Sequence, residues 1–162
     1  KSRKTILAGG IEDSRGTRFC EILSKMMNIN FDPNLPSEFK LVLNRTKDTN
    51  LLAYTLKHGE RTFIFPYSSE TEKHPMLRNF EVAKQILTFY VRTAEFDRPL
   101  RVDFLGDKGN VDVANRISSI LLAMASNSSY GTPSVIVEAD QRAKLSEQDL
   151  EQSVRVRKEM LL

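Results

Sequence analysis

Two acidic segments, far apart along the chain, have residue types suited to binding a divalent metal ion. Glu12 and Asp13 follow a short apolar run that ends in two glycines, and Glu138 and Asp140 follow Tyr130 closely. Carboxylate oxygens are the ligands that Mg²⁺ and Mn²⁺ prefer. Enzymes that hydrolyse phosphodiesters with these ions gather acidic side chains from separate elements, so that the metal activates water and stabilises the transition state. The two segments are therefore candidate metal-binding residues.

Both segments also have a purely structural interpretation. Asp13 could cap a helix that begins just after it, because a carboxylate accepts hydrogen bonds from the free N–H groups of a helix start. Glu138 and Asp140 could instead pair with Arg142 and Lys144, which lie four residues further on. Such pairs face each other on one helix surface. The residues alone leave both interpretations open.

Other polar residues are weaker candidates for catalysis. Asp48 is a plausible N-cap of a helix, Asp107 lies in a turn-like stretch, and Asp103 lies inside a predicted strand. His58 comes just before a glycine, and His74 lies in a polar stretch beside a proline. Both histidines are predicted to be surface residues rather than general bases.

Motifs and composition exclude several classes of protein. The sequence contains no GxxxxGK[ST] phosphate loop, no GxGxxG and no GxSxG nucleophile elbow. The single cysteine, Cys20, rules out a zinc finger and an internal disulfide. We expect it to be a buried thiol of a cytoplasmic protein. No apolar run approaches the roughly 18 residues of a membrane span, and the net charge of +3 permits nucleic-acid binding without establishing it.

Strand-like and helix-like segments alternate, which predicts an α/β fold. Strands are predicted over 5–11, 61–67, 86–93 and 100–105, and helices over 14–27, 48–57, 80–85, 112–125, 133–144 and 146–160. The short connection after residue 93 predicts a hairpin. Residues 133–144 could also form a buried strand, because Val135, Ile136 and Val137 suit a sheet. Residues 39–43 are left without a predicted type.

Several stretches resemble the NurA nuclease family in order and spacing. Residues 130–144, which read Tyr-Gly-Thr-Pro-Ser-Val-Ile-Val-Glu-Ala-Asp-Gln-Arg-Ala-Lys, resemble the closing motif of the family. Residues 86–93 and 100–105 resemble the two strands that precede it. Residues 10–15, Gly-Ile-Glu-Asp-Ser-Arg, resemble the segment that brings a mid-chain acidic residue to the metal, and residues 48–65 fit the stretch between.

The resemblance implies an RNase H-like mixed sheet flanked by helices and a DNA nuclease that uses Mn²⁺ or Mg²⁺. Such enzymes resect DNA ends 5′ to 3′ at double-strand breaks, also nick, form homodimers and work beside a HerA-type hexameric ATPase. By position, Asp13 would be a metal ligand and Tyr130 the active-site tyrosine. Asp140 would stand where many members have a histidine ligand. In the mechanism that we expect from these assignments, Glu12 or Glu138 orients water or supports the metal ligands.

Two departures from the family pattern affect this expectation. The leading Asp-Gly-Ser motif is not found, so either residues upstream of Lys1 carry it or the chain has lost it. Residues 1–162 are expected to form one NurA-like domain that lacks its N-terminal portion. If the first aspartate is absent, we expect this domain to bind metal weakly and to cleave DNA poorly. Asp140 in place of histidine favours hard ions. Two alternatives stay open: a non-catalytic NurA-like module that docks a DNA-translocating ATPase, and an unrelated α/β enzyme.

Overall fold

An antiparallel sheet of four strands is the centre of the fold. The structure, a computed structural model, describes residues 5–30, 37–68, 73, 77–107, 109–125 and 131–144. The strands are β1 (Ala8–Ile11), β2 (Phe65–Pro66), β3 (Ile86–Val91) and β4 (Leu100–Leu105), and they lie in the order β1-β4-β3-β2.

Strands β3 and β4 form the hairpin that the sequence predicts. Their register runs from Ile86 opposite Leu105 to Val91 opposite Leu100. Aromatic and β-branched residues favour this pairing, because their side chains pack well on a pleated surface. Strand β1 lies antiparallel to β4 on the other side, with Gly10 opposite Val102.

The described residues include five α-helices and a 3₁₀ helix before β3. They are α1 (Arg18–Asn30), α2 (Ser37–Arg45), α3 (Asp48–Thr55), α4 (Val111–Ala125) and α5 (Ser134–Ala143), with the 3₁₀ helix at Glu81–Gln85. The predicted helix at 112–125 is confirmed, and α2 occupies the segment that the sequence left without a type. The helical prediction at 133–144 is confirmed and its strand alternative is wrong.

Helices cover both faces of the sheet. One face presents Leu87, Phe89 and Val91 of β3, which pack with β4 and with Ala114 and Ile117 of α4. On the other face, Tyr90 packs with Phe19 of α1, Leu52 of α3 and Phe65 of β2. Alternate side chains of β3 therefore pack into two hydrophobic clusters on opposite faces of the sheet, and the strand is buried at almost every position.

Two predicted elements are present with different bounds. The predicted strand at 61–67 is reduced to Phe65–Pro66 and one isolated bridge between Arg61 and Val91. Proline lacks an N–H group and limits how far strand pairing can extend. The helix predicted over 14–27 begins four residues later than predicted, at Arg18. The predicted helix at 146–160 lies outside the described residues.

The described chain is a mixed α/β structure, as the alternating pattern predicts. An RNase H-like mixed sheet would also need a parallel pair of strands. All the strand pairs in the described ranges are antiparallel, so this finer assignment stays a prediction. No described helix combines the length and the apolar character needed to cross a bilayer.

Candidate active site

A cleft of about 510 Å³ opens where β1 ends, where the β3–β4 connection turns and where α5 packs against the sheet. Ten residues line it, and four of them are acidic. They are Glu12, Asp13, Thr93, Asp97, Arg98, Leu100, Gly131, Thr132, Val137 and Asp140. Residues from three distant parts of the sequence therefore meet in this cleft.

Strand pairing explains how two of these parts meet. The last residue of β1, Ile11, lies opposite Arg101 near the start of β4. Because the two strands are antiparallel, the residues that follow β1 emerge beside those that precede β4. Glu12 and Asp13 consequently share the cleft with Asp97 of the connection.

Asp13 and Asp140, the two residues predicted to share a metal ion, both line this cleft. Glu12 lines it as well. Glu138 is not among the lining residues, and its carboxylate accepts a 2.7 Å bond from Arg142 Nε on the exposed surface of α5. Tyr130 lies outside the described residues. The structure thus brings together three of the five candidate residues that were named from the sequence.

Asp97 and Arg98 belong to the cleft, although the sequence did not single them out. They lie in the turn of the predicted hairpin, where charged residues usually face solvent. Their place in the cleft depends on β1 pairing with β4, and the sequence gives no signal for that pairing.

Two of the four acidic side chains in the cleft form exposed ion pairs. Asp13 Oδ1 lies 3.4 Å from Arg98 Nη1, and Asp140 Oδ2 lies 2.8 Å from Lys144 Nζ. The latter contact raises the pKa of Lys144. The predicted surface pairing of Asp140 is therefore present, and so is that of Glu138. Exposed pairs of this kind contribute little stability and exchange readily with other partners.

The cleft has an excess of negative charge. Within the described ranges, Arg98 is the one basic residue among its lining residues, against four carboxylates. Neither Glu12 nor Asp97 forms an ion pair with a described residue. Such a concentration of carboxylates attracts cations and repels phosphates until a cation neutralises it.

The donor chemistry of the cleft fits a hard divalent cation. The number of ligands does not, because no three His, Cys, Asp or Glu side chains of the described residues lie close enough together to hold one ion. A complete coordination shell would need ligands beyond those that the described residues bring together.

Buried polar contacts fix the backbone just after Asp13. Ser14 is 5% exposed, and its Oγ lies 3.4 Å from the hydroxyl of Tyr90. Thr49 Oγ1 donates a 3.2 Å hydrogen bond to the main-chain oxygen of Ser14. The end of β1 is thereby tied to β3 and α3, which limits where the two acids at the cleft can move.

Asp48 is fully buried and caps a helix other than its own. Its carboxylate accepts hydrogen bonds from the main-chain N–H groups of Phe19 and Cys20, at 2.9 and 3.0 Å, and from the Tyr90 hydroxyl at 3.0 Å. The N-cap position of α3 is Lys47, which makes no side-chain cap bond. The predicted capping of α3 by Asp48 is therefore wrong, and the carboxylate satisfies the first turn of α1 instead.

Burial also suppresses ionisation of two neighbours of Asp48. It raises the pKa of the Cys20 thiol to about 12, with a further contribution from the Asp48 carboxylate. It raises the pKa of Tyr90 as well. The predicted burial of Cys20 is confirmed, since its side chain is 1% exposed.

A second group of polar side chains lies on the face of the sheet that carries Tyr90, and it is centred on Asp103 of β4. Asp103 accepts a 3.0 Å bond from Arg101 Nε and a 2.6 Å bond from the Thr88 hydroxyl. The Arg101 guanidinium also lies over the ring of Tyr67, 4.9 Å from its centroid. Both bonds go to Oδ1 of Asp103, which fits a structural role for this residue.

No curated protein and no solved structure matches this chain. Residues 4–145 match the sequence model of the NurA domain, which is nearly the whole chain and includes every residue that lines the cleft. The chain therefore belongs to the NurA family, whose members are nuclease-related proteins.

Proposed function

We propose that this chain forms part of a metal-dependent DNA nuclease and that the cleft between β1, the β3–β4 connection and α5 is its active site. The observation that carries the proposal is the meeting of Asp13 and Asp140 in one cleft, although 126 residues separate them in the sequence. Family membership adds the reaction class, which is hydrolysis of a DNA phosphodiester. The proposal includes an RNase H-like fold for the complete domain.

Asp13 and Asp140 would hold Mn²⁺ or Mg²⁺, with Glu12 in place to orient a water molecule. The bound cation would supply a nucleophile at neutral pH and neutralise charge on the phosphate. Glu138 lies outside the cleft, so we assign it no part in the chemistry. Tyr130 keeps its expected role of positioning a phosphate or a base.

Arg98 would contribute a positive charge for the DNA backbone. Its side chain is 59% exposed, and its Nη1 lies 3.4 Å from Oδ1 of Asp13. An arginine with free N–H groups can bind a phosphate through two parallel hydrogen bonds. A cation bound to Asp13 would replace Arg98 as the partner of this carboxylate. Arg98 would then be available to bind the phosphate.

Cleavage of DNA by the full-length protein with Mn²⁺ tests this function. We expect Asp13→Ala and Asp140→Ala each to lose more activity than the ~10–100-fold that outer-shell changes cause at metal sites. Asp107→Ala is the matched control, since Asp107 is an exposed acid outside the cleft. Full activity in both cleft variants would show that the active site lies elsewhere.

A second function, a non-catalytic module that docks a HerA-type ATPase, has one observation in its favour. The described carboxylates do not form a three-ligand metal site. A folded full-length protein that shows no Mn²⁺-dependent cleavage but binds the ATPase would support this alternative. We propose the ATPase as a partner in both cases, together with a homodimeric assembly and 5′ to 3′ resection.

A further inference from the structure

Helix α5 carries Asp140 but is attached to the rest of the molecule at few points. None of its residues is buried, and Val135 and Val137 are 51% and 38% exposed. Ile136 is the α5 side chain that packs against the main hydrophobic cluster. The position of this wall of the cleft therefore depends on Ile136 and on the segment just before the helix, where Pro133 is fully buried.

Gly131 makes the closest of these contacts, just before α5. Its φ is +68°, in the left-handed region that side chains rarely adopt. A Cβ built on Gly131 would lie 3.0 Å from the main-chain nitrogen of Ala94 and closer still to the Ala94 methyl group. The backbone leading into α5 thus lies directly against the β3–β4 connection.

The connection on the other side of this contact is firmly anchored. The guanidinium of Arg92 donates to the main-chain oxygens of Ala53 and Leu56 at the end of α3, and to those of Ala94 and Glu95 in the connection. One side chain thereby holds the connection against α3. A disturbance between Gly131 and Ala94 should consequently displace α5 rather than the connection.

Gly10 makes a second contact, between β1 and α5. A Cβ on Gly10 would lie 2.5 Å from Cδ1 of Ile136 and 3.7 Å from Cδ2 of Leu100. A Cβ on the preceding residue, Gly9, would meet nothing within 4 Å. Only one of the two adjacent glycines is therefore needed for α5 to approach the strand.

We propose that Gly131 is a positioning residue that sets the width of the cleft, with Gly10 as a second and softer contact. The inference rests on the proposed nuclease function for its effect on activity, since it concerns the separation of Asp13 and Asp140. The distances from α5 to the β3–β4 connection and to β1 do not depend on that function. Neither glycine contacts substrate in this proposal, and both act through the position of Asp140.

The principal test compares Gly131→Ala with Gly59→Ala. Both glycines have positive φ, but a Cβ on Gly59 would meet nothing within 4 Å. We expect both variants to lose thermal stability from backbone strain, because alanine disfavours this conformation. Only Gly131→Ala should also displace α5, because its Cβ collides with Ala94. Ala94→Gly in the Gly131→Ala background should restore part of the native position by removing the colliding methyl group.

Distance is measured between spin labels on Phe96→Cys in the connection and Gln141→Cys on α5. Both positions are exposed, whereas Cys20 is buried and its raised pKa keeps the thiol unreactive. We expect Gly131→Ala to lengthen or broaden the label distance and to lower kcat roughly 100-fold for a displacement of about 1 Å, with a smaller change in KM. Gly59→Ala should leave the label distance and kcat unchanged.

Identical distances and identical kcat in Gly131→Ala and Gly59→Ala would overturn the proposal. The distance measurement needs no cleavage, so it remains decisive even if the full-length protein proves not to be a nuclease. Should Gly131→Ala fail to fold, a second pair keeps the test open. Gly10→Ala should lengthen the distance and Gly9→Ala should not, and Ile136→Val should reverse the effect of Gly10→Ala by removing Cδ1. Equal distances in that pair would also overturn the proposal.

Discussion

At the scale of single residues, the structure gives Asp48 a role that its sequence position hides. An aspartate at the start of a helix is an ordinary N-cap candidate for that helix. Its carboxylate instead turns toward the first turn of α1 and the Tyr90 hydroxyl, 28 to 42 residues away. No sequence pattern links these partners, because they meet only when α1 and α3 pack on the same face of the sheet.

Replacing the Asp48 carboxylate should destabilise the protein strongly. Asp48→Asn keeps the size of the side chain but places an amide NH₂ against main-chain N–H donors, so at least one of them loses its acceptor. We expect the free energy of unfolding in urea to fall by about 2–3 kcal/mol, the cost of a buried unsatisfied group. Asp107→Asn, on the surface, should change it by less than about 0.5 kcal/mol. Equal values for the two variants would contradict the assigned cap.

Cys20 predicts a loss of stability at alkaline pH. Its thiol has a pKa of about 12 in the folded protein against 9.0 for the free group, because it is buried beside Asp48. As the pH rises above 9, the unfolded chain releases this proton and the folded chain does not. Stability is therefore fully present below pH 9 and falls toward pH 12, by up to about 1.4 kcal/mol per pH unit.

Cys20→Ala removes this contribution and is the comparison that isolates it. Denaturant unfolding at a series of pH values should give a smaller alkaline decline for the variant than for the wild type. Tyr90, whose pKa is also raised by burial, titrates in both proteins and so cancels in the comparison. Parallel pH profiles would show that the thiol is not shielded in the folded state.

At the scale of elements, the sequence predicted the helices and strands whose structure follows from the pattern of their own side chains. The amphipathic α4 and the β-rich hairpin of β3 and β4 follow from apolar spacing, and both are confirmed. The strand expected at 61–67 is mostly absent, since only Phe65–Pro66 and the Arg61 bridge pair with β3. The start of α1 was misplaced because its cap comes from α3. Errors arise where tertiary contacts override local preference.

Arg92 joins two elements and should be sensitive to a conservative change. Its guanidinium reaches main-chain oxygens of α3 and of the β3–β4 connection at once, which the single ammonium of lysine cannot do. We expect Arg92→Lys to lower the free energy of unfolding by about 1–3 kcal/mol. Arg116→Lys, on the exposed side of α4, should have little effect. A matching loss in both variants would show that the four carbonyl contacts contribute no stability.

At the scale of the whole molecule, the cleft combines predicted and unpredicted residues. The family resemblance selected Asp13 and Asp140, and both lie in the cleft. Asp97 and Arg98 could not be selected, since they reach the cleft only through the pairing of β1 with β4. Residue type and position also selected Glu138, which the helical geometry of α5 pairs with Arg142 instead. The sequence therefore predicted two acidic residues of the cleft, but it could not predict the residues that tertiary contacts add to them.

The charge of the cleft leads to a prediction about DNA binding. Four carboxylates face one arginine there, while the chain as a whole carries a net charge of +3. Under the proposed function, a phosphate that enters the cleft would depend on Arg98 and on any bound cation. We expect Arg98→Gln to weaken binding of a non-hydrolysable DNA and to reduce the slope of log K against log salt by about 1, the loss of one phosphate contact. Fluorescence anisotropy over a range of salt concentrations measures both.

Arg116→Gln removes the same charge from α4, outside the cleft, and should weaken binding less. If the two variants show the same salt slope and the same affinity for DNA, Arg98 does not contact the DNA backbone. The proposed position of the substrate in the cleft would then be wrong.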